Sequence, residues 1–333
     1  MLYNLSAFLL MALATGFTFA SSLGIDNAAR GKMLDALARQ LEAEYVFPEV
    51  GLKMASTLRA HEKKGEYNSI SNGSALSQLL TKQLREISGD KHIDVVFGVP
   101  QPNIDVGAVV EKTTGFPNNK AFDFVKNIRL PGNIGLIDLN SFPPPEIGDD
   151  AITKVMNEIA DTNALIIDLR SNGGGSPYMV ALISSYLFGE IPVHLNDLSY
   201  RRTAKSRQFW TQKTVSGKRY GLVKPVYVLT SNMTFSAAEE FSYNLKNLKR
   251  ATIVGATTGG GANPGEVFEI DERFSIFIPT GRAINPVTKT NWEGVGVKPD
   301  IEVSSADALN VAQRLALEKL NIPIPGEDLR GNY

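Results

Sequence analysis

The run Leu229-Thr-Ser-Asn-Met-Thr-Phe-Ser-Ala-Ala-Glu-Glu-Phe241 joins an apolar, strand-like segment to a helical one. The strand ends near Thr230. The helix has its apolar face at Ala237, Phe241, Leu245 and Leu248, and Ser236 falls at its start. Unpaired backbone N–H groups and the positive end of the helix dipole converge there. That environment stabilises an alkoxide or a tetrahedral oxyanion. Serine at a helix start also serves as an N-cap, and on position alone the cap is the commoner role.

A second segment, Asp168-Leu-Arg-Ser-Asn-Gly-Gly-Gly-Ser-Pro177, runs from a buried strand into three consecutive glycines. Without Cβ atoms such a loop can turn its N–H groups onto a ligand oxygen. Gly173 and Gly174 are therefore candidate oxyanion donors, although a tight strand-to-helix turn uses glycine equally well. The run is not a phosphate loop, because it lacks Gly-Lys-Ser/Thr. The chain has no cysteine, which excludes thiol nucleophiles, thiolate metal sites and disulfides. Its three histidines, His61, His92 and His194, are the only imidazoles available as a base. Taken alone, a histidine near a glycine turn is more often a satisfied or surface residue than a catalytic one.

The elements that must hold these residues follow from periodicity. An apolar stretch from about Ala7 to Ala20 meets the small residues Ala20, Ser21 and Ser22. It reads as a secretory signal peptide over 1–22, cleaved near Ala20–Ser22, with the unusual feature that no Lys or Arg precedes it. Residues 23–97 read as a small helical domain, with Met33, Leu37, Leu41 and Tyr45, then Leu76, Leu80 and Leu84, at helical spacing. Gly51 and the 65–73 segment are expected to divide it. Residues 98–131 read as a linker rich in Pro, Gly and Asn. From 132 to 322, strands at 134–139, 164–169, 225–231 and 251–255 alternate with helices, which predicts an α/β core on a mainly parallel sheet. Further strands are expected at 274–279 and 295–303, a closing helix at 306–320, and a tail over 323–333. Lys plus Arg is 34 and Asp plus Glu is 35, so no field invites nucleic acid. No segment after the signal is apolar for long enough to insert stably in a membrane.

Three stretches taken together resemble the S41 serine peptidases, which include the C-terminal processing peptidases, tricorn protease and the repeats of interphotoreceptor retinoid-binding protein. They are Ile167-Asp-Leu-Arg-Ser-Asn-Gly-Gly-Gly175, Val228-Leu-Thr-Ser-Asn-Met-Thr-Phe-Ser-Ala-Ala-Glu239 and Trp292-Glu-Gly-Val-Gly-Val-Lys-Pro-Asp300. The resemblance spans roughly residues 27–320 and implies a crotonase/ClpP-like core. It implies Ser236 as nucleophile, with Gly174 and Ala237, aided by Gly173, as oxyanion donors. Each such donor is worth about 3 kcal/mol of barrier. The processing peptidases use a lysine downstream of the serine as base. The corresponding stretch here, Gly255-Ala-Thr-Thr-Gly-Gly-Gly-Ala-Asn-Pro264, has none. The tricorn-like arrangement instead implies His92 as general base and Glu293 as the acid that holds the imidazole. Lys91 stands where tricorn carries a serine. The linker is too short for the PDZ module of many processing peptidases.

The basic, aromatic segment around Arg202 and Trp210 is a candidate wall for the substrate groove. The implied activity is hydrolysis of peptides or unfolded protein in the periplasm or outside the cell, with no cofactor and no metal. The sequence sets no oligomeric state. Two other classes stay open. The retinoid-binding repeats resemble the same fold and bind apolar ligands without cleavage. Fold alone also suggests an acyl-CoA enzyme, which an exported chain argues against.

Overall fold

The computed structural model describes residues 25–98, 124–203 and 206–323. The expected signal peptide, most of the expected linker and nearly all of the tail lie outside them. Three helices open the described chain: α1 Asn27–Glu44, α2 Pro48–Lys63 and α3 Gly73–Ser88. The boundary between α1 and α2 is not at Gly51. It falls at 45–47, where Pro48 supplies the preset φ of a first helical turn. Gly51 lies inside α2, where a Cβ would come within 2.5 Å of the Leu41 carbonyl oxygen. It is there to let two helices touch. The short strand β1 (Asp94–Phe97) follows α3.

The core begins earlier than expected. Val125–Leu130, placed by sequence in the linker, is strand β2 and pairs antiparallel with β3 (Ile134–Leu139). Its polar outer face hid it. Next come α4 (Pro145–Ile159), β4 (Ala164–Asp168), α5 (Pro177–Leu187), β5 (His194–Tyr200), β6 (Ser206–Trp210) and β7 (Val226–Thr230). Then follow α6 (Ala237–Asn247), β8 (Thr252–Gly255), β9 (Gly265–Glu269), β10 (Phe274–Pro279), β11 (Gly281–Ile284), β12 (Ile301–Glu302) and α7 (Ala308–Lys319). The expected 295–303 strand shrinks to β12, because Gly294 and Gly296 take φ values of +72° and +73° and coil the chain instead.

The central sheet has the order β12-β8-β7-β4-β3-β2, parallel except at β2. The α/β expectation therefore holds. Alternation along the strands sorts the core into two layers. Ile137, Ile167, Val228 and Ile253 pack under α4, α5 and α6, while Leu136, Ile166, Tyr227 and Val254 pack under α7. No helix among the described residues is long and apolar enough to cross a membrane.

Two small antiparallel sheets flank this core, β1-β10-β9 and β11-β5-β6. The first decides the site. Its strand β10 contributes Phe274, Ile276 and Ile278 to the same buried cluster as Leu37, Leu41, Leu80 and Leu84 of the helices. The helical region thus shares its hydrophobic core with late strands of the chain. That shared burial brings the α3–β1 turn, which carries His92, against the loop after β8.

Candidate active site

Ser236 does not have the backbone of an ordinary cap. An N-cap residue sits in the β region, whereas Ser236 has φ +54° and ψ −120°. For a residue with a Cβ this conformation costs about 1–3 kcal/mol and persists only where surrounding bonds over-determine it. Those bonds are present. Phe235 N–H donates to the Asn172 carbonyl at 3.0 Å, and the Thr234 hydroxyl donates to the Leu169 carbonyl at 2.8 Å. The Ser231 hydroxyl donates to the Arg170 carbonyl at 2.5 Å. The turn after β7 is thereby stitched to the loop after β4, and Ser236 is held in the wall of a cavity.

Asn172 is a second clamp. It is fully buried; its carboxamide donates to the Leu139 carbonyl at 2.8 Å and accepts from Gly174 N–H at 2.8 Å. This places the glycine run differently from the sequence reading. Gly174 N–H is already taken, so Gly174 is not positioned as an oxyanion donor. Its φ is +111°, and a Cβ there would lie 2.8 Å from the Ser236 Cβ and 2.9 Å from the Phe235 carbonyl oxygen. Its glycine is a steric requirement. Gly173 and Ala237 both line the cavity. Among the described residues neither of their N–H groups has an acceptor, which leaves those two free for an oxyanion.

Glu239, three residues after Ser236, is buried and accepts four hydrogen bonds. One oxygen takes Thr258 Oγ1 at 2.5 Å and Gly260 N–H at 2.6 Å; the other takes Gly261 N–H at 2.8 Å and Ser236 N–H at 2.9 Å. Burial pushes its pKa up, and these donors oppose the rise. The glycine-rich stretch that lacks the expected lysine is thus wrapped around a carboxylate. Lys91, which departs from the tricorn pattern, donates from Nζ to the Gly259 carbonyl at 2.6 Å and ties the same loop to the α3–β1 turn.

His92 sits on that turn and is nine-tenths buried. Its ring packs on Phe235, with centroids 4.6 Å apart, and a Cβ on Gly261 would meet its Cε1 at 2.6 Å. Both ring nitrogens are buried without a hydrogen bond among the described residues. Asp90 is the partner the sequence reading missed. Its Oδ1 accepts from His92 N–H at 3.0 Å and lies 3.5 Å from His92 Nδ1. Its Oδ2 accepts from Asn263 Nδ2 at 2.9 Å. Glu293 is also close, and one side-chain N or O atom from each of Asp90, His92 and Glu293 lies within 4.8 Å of the others. Glu293 Oε2 accepts from Ala262 N–H at 2.5 Å, and Oε1 is buried and unbonded. Burial first, then the charge of Asp90, pushes the Glu293 pKa up to about 7. The Asp-Lys-His spacing at 90–92 was the available signal for Asp90.

A cavity of about 270 Å³ opens beside Ser236 and His92, walled by Phe235, Leu198, Tyr200, Phe277, Ala283 and Trp292. Of the predicted groove residues, neither Arg202 nor Trp210 lines it. Arg202 pairs with Glu44 at 3.3 Å, and Trp210 stacks on His194 with centroids 4.3 Å apart. Leu198 and Tyr200 of β5 line it in their place. His194, which showed no partner in sequence, bonds Asp197 at 2.7 Å. His61 lies 3.4 Å from the Tyr67 hydroxyl. Neither histidine lines the cavity.

Comparisons with known proteins bear on the family and the fold. The model of peptidase family S41 matches residues 133–303, and that of the N-terminal domain found with it in eukaryotic interphotoreceptor retinoid-binding protein matches 27–121. The chain is 28% identical over 180 residues to chloroplastic carboxyl-terminal-processing peptidase 2 of Arabidopsis thaliana, covering 51% of this chain and 33% of that protein. It is 22% identical over 267 residues to the carboxy-terminal processing protease CtpB of Bacillus subtilis, covering 80% and 54%. The chain therefore spans about half, or less, of the length of these relatives. A solved structure from Parabacteroides merdae superposes with a TM-score of 0.62 at 20% identity, covering 88% of this chain and 98% of that one, which shows the shared fold. By the family model that spans its α/β core, the chain belongs to peptidase family S41.

Proposed function

We propose that this chain is an exported serine peptidase that cleaves peptides through an acyl-enzyme on Ser236. The observation that carries the reading is the strained backbone of Ser236 in the wall of a cavity that it shares with a buried, unbonded imidazole. His92 takes the Ser236 proton as the hydroxyl attacks and returns it to the leaving amine. Asp90 holds Nδ1 and orients the ring, and Glu293 adds negative charge as the imidazolium forms. Gly173 and Ala237 N–H groups face the oxyanion. Export rests on the apolar N-terminal stretch ending in Ala20-Ser-Ser22.

A fluorophosphonate probe tests this, with adducts located by mass spectrometry. The expected result is an adduct on Ser236, absent in Ser236→Ala, and formed at least about 100-fold more slowly in His92→Ala and Asp90→Asn. A folded wild-type chain that takes no label overturns the reading. The unbonded state of His92 and the apolar walls would then favour a module that binds apolar ligands.

A further inference from the structure

The second carboxyl of α6 is unlike the first. Glu239 collects four donors, whereas Glu240, only 5% exposed, has an Oε1 with no hydrogen-bond partner among the described residues. Glu240 lies four residues beyond Ser236, so the two share one side of the helix start, and Glu240 lines the same cavity. Both side-chain polar atoms of Asn196, on β5, are also buried and unpartnered, as is Asn244 Nδ2 on α6. Asn196 and Asn244 approach the Glu240 carboxyl and oppose the rise in its pKa, yet neither closes a hydrogen bond on Oε1. Among the described residues no Lys or Arg pairs with Glu240.

Buried polar groups without partners are costly, and native proteins keep few of them. Here the group lines a cavity together with Leu198, Ala283 and Trp292. Ser236 lines the same cavity. A largely apolar cavity with a carboxyl in its wall complements a side chain with an apolar stem and a cationic tip. We propose that this cavity receives a lysine or arginine side chain of the substrate, on the acyl side of the scissile bond, with Glu240 as its counter-ion. The proposal rests on the peptidase reading of Ser236. Burial raises the Glu240 pKa to about 8. In the empty cavity the carboxyl is mostly neutral, and an arriving cation supplies the missing partner while the carboxyl proton leaves to water.

The test uses the full chain and fluorogenic peptides that differ only at the residue before the scissile bond: lysine, arginine, norleucine, glutamine or glutamate. The expected kcat/KM for lysine or arginine exceeds that for norleucine by about 100-fold or more. In Glu240→Gln, checked for folding by thermal melting, that ratio falls about 100-fold. Fluorophosphonate labelling of wild-type Ser236 runs alongside and separates the two readings. If Ser236 labels but norleucine or glutamine is preferred, the pocket proposal is overturned and the peptidase stands. If wild type neither labels nor cleaves, both fall. Should Glu240→Gln fail to fold, the wild-type preference decides.

Discussion

Replacing Glu239 by alanine removes one carboxylate and leaves four donors without it: Ser236 N–H, Thr258 Oγ1, Gly260 N–H and Gly261 N–H. The Glu239 side chain is fully buried. An unsatisfied buried donor costs about 1–3 kcal/mol. The four costs do not add fully, because water can enter the space the side chain leaves. The expected loss is about 3–6 kcal/mol, a large part of an ordinary domain's stability. Glu239→Gln keeps one acceptor oxygen for the Ser236 and Gly261 N–H groups and turns its NH2 towards Gly260 N–H and the Thr258 hydroxyl, which can reverse to accept, so at most about half that loss is expected. Urea unfolding followed by tryptophan fluorescence measures it. Trp292 is a suitable reporter, since its indole is buried and donates to the Gly261 carbonyl at 2.7 Å. The same variants should label more slowly at Ser236, whose backbone loses an anchor. A Glu239→Ala protein within 1 kcal/mol of wild type would refute the view that this carboxylate organises the site.

Gly174→Ala should cost about 2–5 kcal/mol, combining a positive-φ penalty with overpacking against Ser236; equilibrium unfolding checks this, and wild-type stability would show that the loop can yield. The pH response of Glu293 has a definite sign. Its folded pKa of about 7 lies above the ordinary 4.5, so its contribution is present below 4.5 and lost as pH rises through 7. Wild type should therefore lose up to about 3 kcal/mol more than Glu293→Gln between pH 4.5 and 8 in urea titrations. An equal loss in both proteins counts against the assignment. Over the same range kcat/KM should rise, as Glu293 acquires the charge that supports the imidazolium.

Some of this molecule was legible residue by residue. The apolar runs at 134–139, 164–168 and 226–230 are buried on both faces of a parallel sheet, and such strands leave an unmistakable mark in composition. The start of α6 at Ser236 followed from periodicity, whereas the roles proposed for His92 and Glu293 rest on resemblance. Strands β2, β5, β6, β9 and β11 left little mark, because half-exposed strands mix polar and apolar residues without a run. The linker reading of 125–130 failed for that reason.

What the sequence by itself determined is local: which segments are helix or strand, where a hydroxyl meets a helix start, and which glycines can bend the chain. Only the tertiary structure decided how those pieces act. Asp90 became a partner of His92, and Gly174 a steric contact whose N–H is already bonded. Glu239 became the anchor of a loop some twenty residues downstream, and Arg202 and Trp210 were turned away from the cavity. The physical reason is that hydrogen-bond satisfaction and burial are properties of packed surfaces. The helical region must bury its apolar face against β10, and that demand, made by residues about 190 to 240 positions apart, sets where His92 stands.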